Sequence, residues 1–215
     1  MRSWFFLAAF AVCLTAVSAC SSAYYGAMEK VGVHKRDIMV NRVEAARDAQ
    51  SEAQKQFKSA LEQFGAVVRL KDTDLKRAYD KLNGEYEDSQ AAAKNVSARI
   101  DKVEDVSEAL FNEWQRELGE YQSQQLRRDS EARLRETKTR YRQMISSMRQ
   151  AEKSIEPVLR IFHDNVLFLK HNLNAQAIGS LQGEFAGLQE EIARLMERMN
   201  QAIAESNRFI AGIKE

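Results

Sequence analysis

Apolar residues return every three or four positions along most of the chain, and the returns fall into four series. The first runs Met39, Val43, Ala46, Gln50, Ala53, Phe57, Ala60, Phe64, Val67, and the second passes Leu75, Leu82, Val96, Ile100, Val103, Leu110 and Trp114. The third runs from Leu134 through Tyr141, Met148, Ile155 and Phe162, then slips one place to Val166 and Leu169. The fourth joins Ile178, Leu181, Phe185 and Leu188 to Phe209 and Ile213. Such spacing draws one apolar seam down a helix, and a seam sustained over several heptads underlies coiled-coil packing.

The breaks between series are short: Lys71-Asp72-Thr73-Asp74, then Tyr121 to Gln125 with Ser123 as an N-cap, then Asn172-Leu173-Asn174. Turns this short force antiparallel neighbours. The expected fold is therefore all-α: a long antiparallel, coiled-coil-like bundle of about four helices, running up-down-up-down. Segments of about 40 to 50 residues give rods of about 60 to 75 Å at 1.5 Å per residue. Pro157 is the one proline, and the apolar register continues across it, which predicts a kink in a continuous helix.

Residues 1–19 stand apart from this pattern. Arg2 precedes an uncharged, mainly apolar run from Trp4 to Val17, 14 residues long. A membrane-spanning helix needs about 20, whereas a signal-peptide core is this short. The run ends in Val17-Ser18-Ala19-Cys20, which resembles the lipobox of bacterial lipoproteins. That resemblance implies cleavage before Cys20, fatty acylation of its thiol with chains such as palmitate, and a mature protein without Cys13. Several acyl chains hold a protein stably at a bilayer, where one is marginal. Ser21 stands where an aspartate would resemble an inner-membrane retention signal, so the periplasmic face of the outer membrane is the expected site. The expected organisation is a signal peptide over 1–19, a lipidated tether over 20–27 and a single bundle domain over 28–215.

Two further stretches, Tyr24 to Ile38 and Asn165 to Ile178, together with Leu126-Arg127-Arg128-Asp129-Ser130, carry a family likeness. They resemble the proteobacterial helical proteins grouped as domain of unknown function 2959. The resemblance covers essentially the whole mature chain. It implies an all-helical, secreted or lipid-anchored protein and carries over no catalytic residue, ligand or partner.

Composition narrows the chemistry. The formal charge is +1, so no global positive field points to nucleic acid. Arg127 to Lys153 nonetheless holds nine basic and four acidic residues, while Glu85 to Glu120 holds ten acidic and four basic. An antiparallel hairpin turning near Ser123 would neutralise one run with the other, setting Arg142 beside Glu104 and Arg140 near Asp105 and Glu108. No GxxxxGK[ST] phosphate loop occurs. His163 and His171 are about 12 Å apart along a helix, too far for one metal ion, and His163 and Asp164, as sequence neighbours, are not expected to face each other. The expectation is no enzyme, no cofactor, no metal, no nucleic-acid partner and no small-molecule substrate.

What remains points to surfaces. Lys30, His34, Lys35 and Arg36 follow the tether, and Arg127 and Arg128 lie by the proximal turn, so folding would gather them near lipid headgroups. Gly179, Gly183 and Gly187, preceded by Ala175, recur every four residues almost opposite the fourth seam. Helix glycines cost about 1 kcal/mol each relative to alanine, so this stripe is a docking face, an internal close contact or an indifferent surface. The expected function is structural or partner-binding: a lipid-anchored projection that meets an envelope protein or a second copy of itself. A holdase-like chaperone and a membrane-active helical protein are the alternatives. Closed seams would favour the first reading and exposed seams the second.

Overall fold

A computed structural model describes residues 24–69, 75–172 and 175–214, with the side chains of 175 and 176 excluded. A short helix α1 (24–30) leads into α2 (Lys35–Val67), α3 (Leu75–Glu117), α4 (Gln124–Lys153), α5 (Ile155–His171) and α6 (Ala175–Lys214). Among the described residues there is no strand. Cys20, the 1–19 leader, Asp72 and its neighbours, and Leu173-Asn174 lie outside the described residues.

The four expected rods are α2, α3, α4 with α5, and α6. Each packs on the next, and α6 closes the ring against α2. Cross-links between α2 and α6 fix an antiparallel register: Gln54 Nε2 donates to Asn200 Oδ1 at 2.9 Å, and Gln182 Nε2 to the Val68 carbonyl at 2.7 Å. The seams point inward. Met39, Val43, Phe57, Ile100, Met144, Met148, Leu195 and Met199 are fully enclosed, and among the described residues the buried hydrophobic side chains run from Tyr25 to Ile213.

Three expectations need correcting. Residues 24–27, expected in the tether, belong to α1, because Tyr25 is buried and its hydroxyl donates to Asp105 Oδ2 on α3. The third rod is not one continuous kinked helix: it breaks at Ser154. Pro157 cannot donate to the Lys153 carbonyl four residues back, and its ring would crowd that oxygen. With the break at Ser154, Pro157 becomes the third residue of a new helix, where a backbone donor has no intrahelical partner anyway. Ser154 satisfies the end of α4 through its hydroxyl, which donates to the Ala151 carbonyl at 2.7 Å. The seam still passes through, since Ala151, Ile155, Val158 and Phe162 are all buried.

The third correction concerns the α3–α4 register. Glu104 is held by Arg149, not Arg142, and Arg149 also reaches Asp101 at 2.6 Å and Glu152 at 2.8 Å. Arg140 meets Glu136 on its own helix, not Asp105 or Glu108. Register follows the side chains that interlock, here Phe111 against Tyr141 with ring centroids 5.3 Å apart, and not equal counting from the turn. Ser123 does cap α4, accepting from the Leu126 amide at 3.3 Å. Residues 124–129 are all exposed.

Candidate ligand cleft at the end of the bundle

The end that carries α1 is assembled from charged residues. α1 runs toward it, and the chain reverses at Val31-Gly32, where Gly32 has φ +83°, a left-handed turn that favours glycine. The Gly32 amide donates to the Glu29 carbonyl at 2.9 Å, which closes α1. The reversal sets Glu29 opposite the first turn of α2. Lys35 lies there between Glu29 and Glu113 of α3, the latter at 2.7 Å, and is only 8% exposed. Burial alone would push its ammonium pKa down, but hydrogen bonds to Glu113 and Glu29 outweigh that and raise it. The hydrogen bond from Lys35 correspondingly holds the Glu29 carboxyl below its ordinary range. Arg36 donates to the Ile213 carbonyl and so ties the last turn of α6 to the start of α2.

Between these anchors α3 and α4 stand apart around a cleft of about 740 Å³. α3 contributes Leu110, Glu113, Trp114 and Glu117; α4 contributes Arg133, Glu136, Thr137 and Arg140. Each set follows i, i+3, i+4, i+7, so each is one helix face turned to the same space. One wall is acidic and the other mainly basic. Yet among the described residues no ion pair joins Glu113 or Glu117 to Arg133 or Arg140. Glu117 has its carboxyl pKa raised by burial and by the negative neighbours Glu113, Glu120 and Glu29. Trp114 lines the floor and donates from its indole nitrogen to Ser130 Oγ at 2.8 Å. Arg140 lies over Gly212 of α6, where a Cβ would come within 3.0 Å of its Cζ.

The residues singled out in the sequence divide unevenly. His34, Lys35 and Arg36 line the cleft; Lys35 is enclosed in its ion pairs, while Arg36 is exposed and engaged by α6 through one guanidinium nitrogen. Lys30, Arg127 and Arg128 are exposed at this end, and Arg128 donates to Gln125 at 2.9 Å. Gly179, Gly183 and Gly187 are exposed with nothing near a would-be Cβ, which removes the internal-contact reading of the stripe. The side chain of Ala175 lies outside the described residues. His163 and Asp164, contrary to expectation, do approach each other at 3.4 Å, both exposed. Trp114, Glu113 and Glu117, and Arg133 and Arg140, were missed as a site. Their matched spacing was visible in the sequence, but their confrontation depends on the helix register.

Among the described residues, no group of three or more His, Cys, Asp or Glu side chains is placed to hold a metal ion. No described helix is long and apolar enough to cross a membrane. The family model described as a protein of unknown function, DUF2959, matches residues 24–213. No curated protein and no solved structure matches the chain.

Proposed function

The chain belongs to the DUF2959 family, and from that premise we propose that it is a lipid-anchored, non-catalytic rod of the bacterial cell envelope, binding a partner at its far end. In this reading Cys20 carries the acyl chains, on the periplasmic face of the outer membrane. The far end, formed by the start of α6 and the end of α5, meets an envelope protein or a second copy of the chain. The observation that carries the reading is the placement of exposed apolar side chains. The four seams face inward, and among the described residues five of the six large exposed hydrophobic residues belong to the ends: Val31, Tyr121 and Leu126 at one, Leu167 and Phe168 at the other. Rods that pack closed along their sides and stay apolar at their tips are suited to spanning and docking. They are poorly suited to embracing unfolded clients, which needs open seams.

Two measurements test the proposal. Cys20→Ser should abolish acyl labelling and release the protein from membranes or trap the precursor. A photocrosslinker at Phe168 should capture a discrete envelope protein or a second copy in cells, and the same probe at exposed Gln143, midway along the rod, should not. Unchanged labelling in the first case, or equal capture in the second, overturns the corresponding half.

A further inference from the structure

The end cleft holds opposed charges apart. In an antiparallel bundle, facing acidic and basic stripes ordinarily pair across the helix contact, as Arg149 does with Asp101 and Glu104 farther along the same two helices. At the end, the same helices present Glu113 and Glu117 against Arg133 and Arg140, with Glu136 beside Arg140 at 3.6 Å on the basic wall, and leave about 740 Å³ between them. That volume lies within the usual range for small-molecule sites. The acidic wall is only partly neutralised from within: Lys35 pairs with Glu29 and Glu113, while Glu117 makes no ion pair among the described residues and has its carboxyl pKa raised by burial first and then by Glu113, Glu120 and Glu29. The floor is apolar, formed by Leu110, Trp114 and Ile213.

We propose that this cleft binds a zwitterionic amphiphile: its ammonium on the Glu117 wall, its phosphate on Arg133 and Arg140, its chain over Trp114. A membrane lipid of the phosphoethanolamine class has this chemistry. A purely anionic ligand would set like charge against Glu113 and Glu117, and a purely cationic one would face the arginines. A dipolar molecule satisfies both walls without breaking the Lys35 or Arg36 anchors. The site is independent of acylation at Cys20, so it stands or falls apart from the anchoring proposal.

Trp114 makes the test direct. The two tryptophans are Trp4 and Trp114, so a chain begun at Ser21 reports from the cleft alone. Lysophosphatidylethanolamine, titrated below its micelle concentration, should shift the Trp114 emission saturably. Lysophosphatidylglycerol, which lacks the ammonium, should bind at least about tenfold more weakly, the order expected for losing one charge-assisted hydrogen bond. Free phosphoethanolamine should also bind more weakly than the lysolipid, because it leaves the apolar floor uncovered. Glu117→Gln should remove the preference between the two lysolipids, while Arg133→Gln should weaken both, each variant keeping the parent's helical circular dichroism. No emission shift, or equal affinity of the parent for both lysolipids, overturns the proposal. Phosphoethanolamine binding as tightly as the lysolipid overturns the lipid as the ligand.

Discussion

Gln50 sits on the first seam, fully buried, and neither its Nε2 nor its Oε1 has a hydrogen-bond partner among the described residues. A buried amide left unpaired costs about 1–3 kcal/mol, more than an apolar side chain of like volume would. Gln50→Leu should therefore stabilise the bundle by about 1–3 kcal/mol, raising Tm by about 2–4 °C per kcal/mol in a chain this size. Thermal melts followed by circular dichroism measure this, and a lowered Tm would mean that the amide earns its place by specifying register. Glu117 makes a prediction of opposite pH sense to an ordinary ion-paired acid. Its raised pKa means that the folded state binds the proton more tightly than the unfolded state does. Stability therefore falls as pH rises from the ordinary carboxylate range through the raised folded value. Glu117→Gln removes that loss: the variant should be more stable than the parent at neutral pH and should lose its advantage below the ordinary carboxylate range. An advantage that persists unchanged in acid would show that ionisation is not its source.

At the scale of the element, the α4–α5 junction and the glycines show how local rules yield to packing. A proline strained inside a continuous helix costs about 3 kcal/mol. Because the helix already breaks at Ser154, Pro157 occupies a position that needs no donor, and Pro157→Ala should change stability by less than about 1 kcal/mol. A gain of about 3 kcal/mol in denaturant unfolding would restore the strained-helix picture. The glycines divide by what surrounds them. Gly183 of α6 opens onto empty space, whereas Gly65 of α2 is covered by Phe185, whose Cζ would lie 3.0 Å from a Cβ. Phe185 in turn stacks on Phe64, with centroids 5.8 Å apart. A stripe of small residues looks the same in sequence whether a neighbour covers it or not.

For the whole molecule, the uneven charge runs matter less than their disposition. Arg149, in the basic run of the third rod, is tied to Asp101 and Glu104 on α3 and to Glu152, and Arg135 and Arg140 lean on acids one turn away. With a formal charge of +1 there is no residual field to draw a polyanion. The chain begun at Ser21 should show no appreciable DNA or RNA affinity at about 0.15 M salt, where exposed charges are screened beyond about 8 Å. Fluorescence anisotropy with labelled oligonucleotides checks this. Tight binding that weakens steeply with salt, and again on Arg140→Glu with Arg142→Glu, would prove it wrong.

The helices, their inward faces and their antiparallel order were legible in the amino-acid sequence, because apolar spacing and short turns are local and carry through to burial. Met39 to Val67 and Ile178 to Ile213 appeared as seams before any packing was known, and Ser123 appeared as a cap from its place before a helix. The tertiary structure decided what depends on two elements meeting. It moved the partner of Glu104 from Arg142 to Arg149, since interlocking rings and not turn symmetry set the slide of α4 along α3. It drew Tyr25 out of the tether by giving its ring a groove and its hydroxyl a carboxylate. It enclosed Lys35, which looked like a free surface charge, between Glu29 and Glu113, residues 6 and 78 positions away. The end cleft is the same kind of result. Two helix faces with matched spacing are written in the sequence, but whether opposite charges close on each other or stay apart is settled only by the distance at which the helices come to rest.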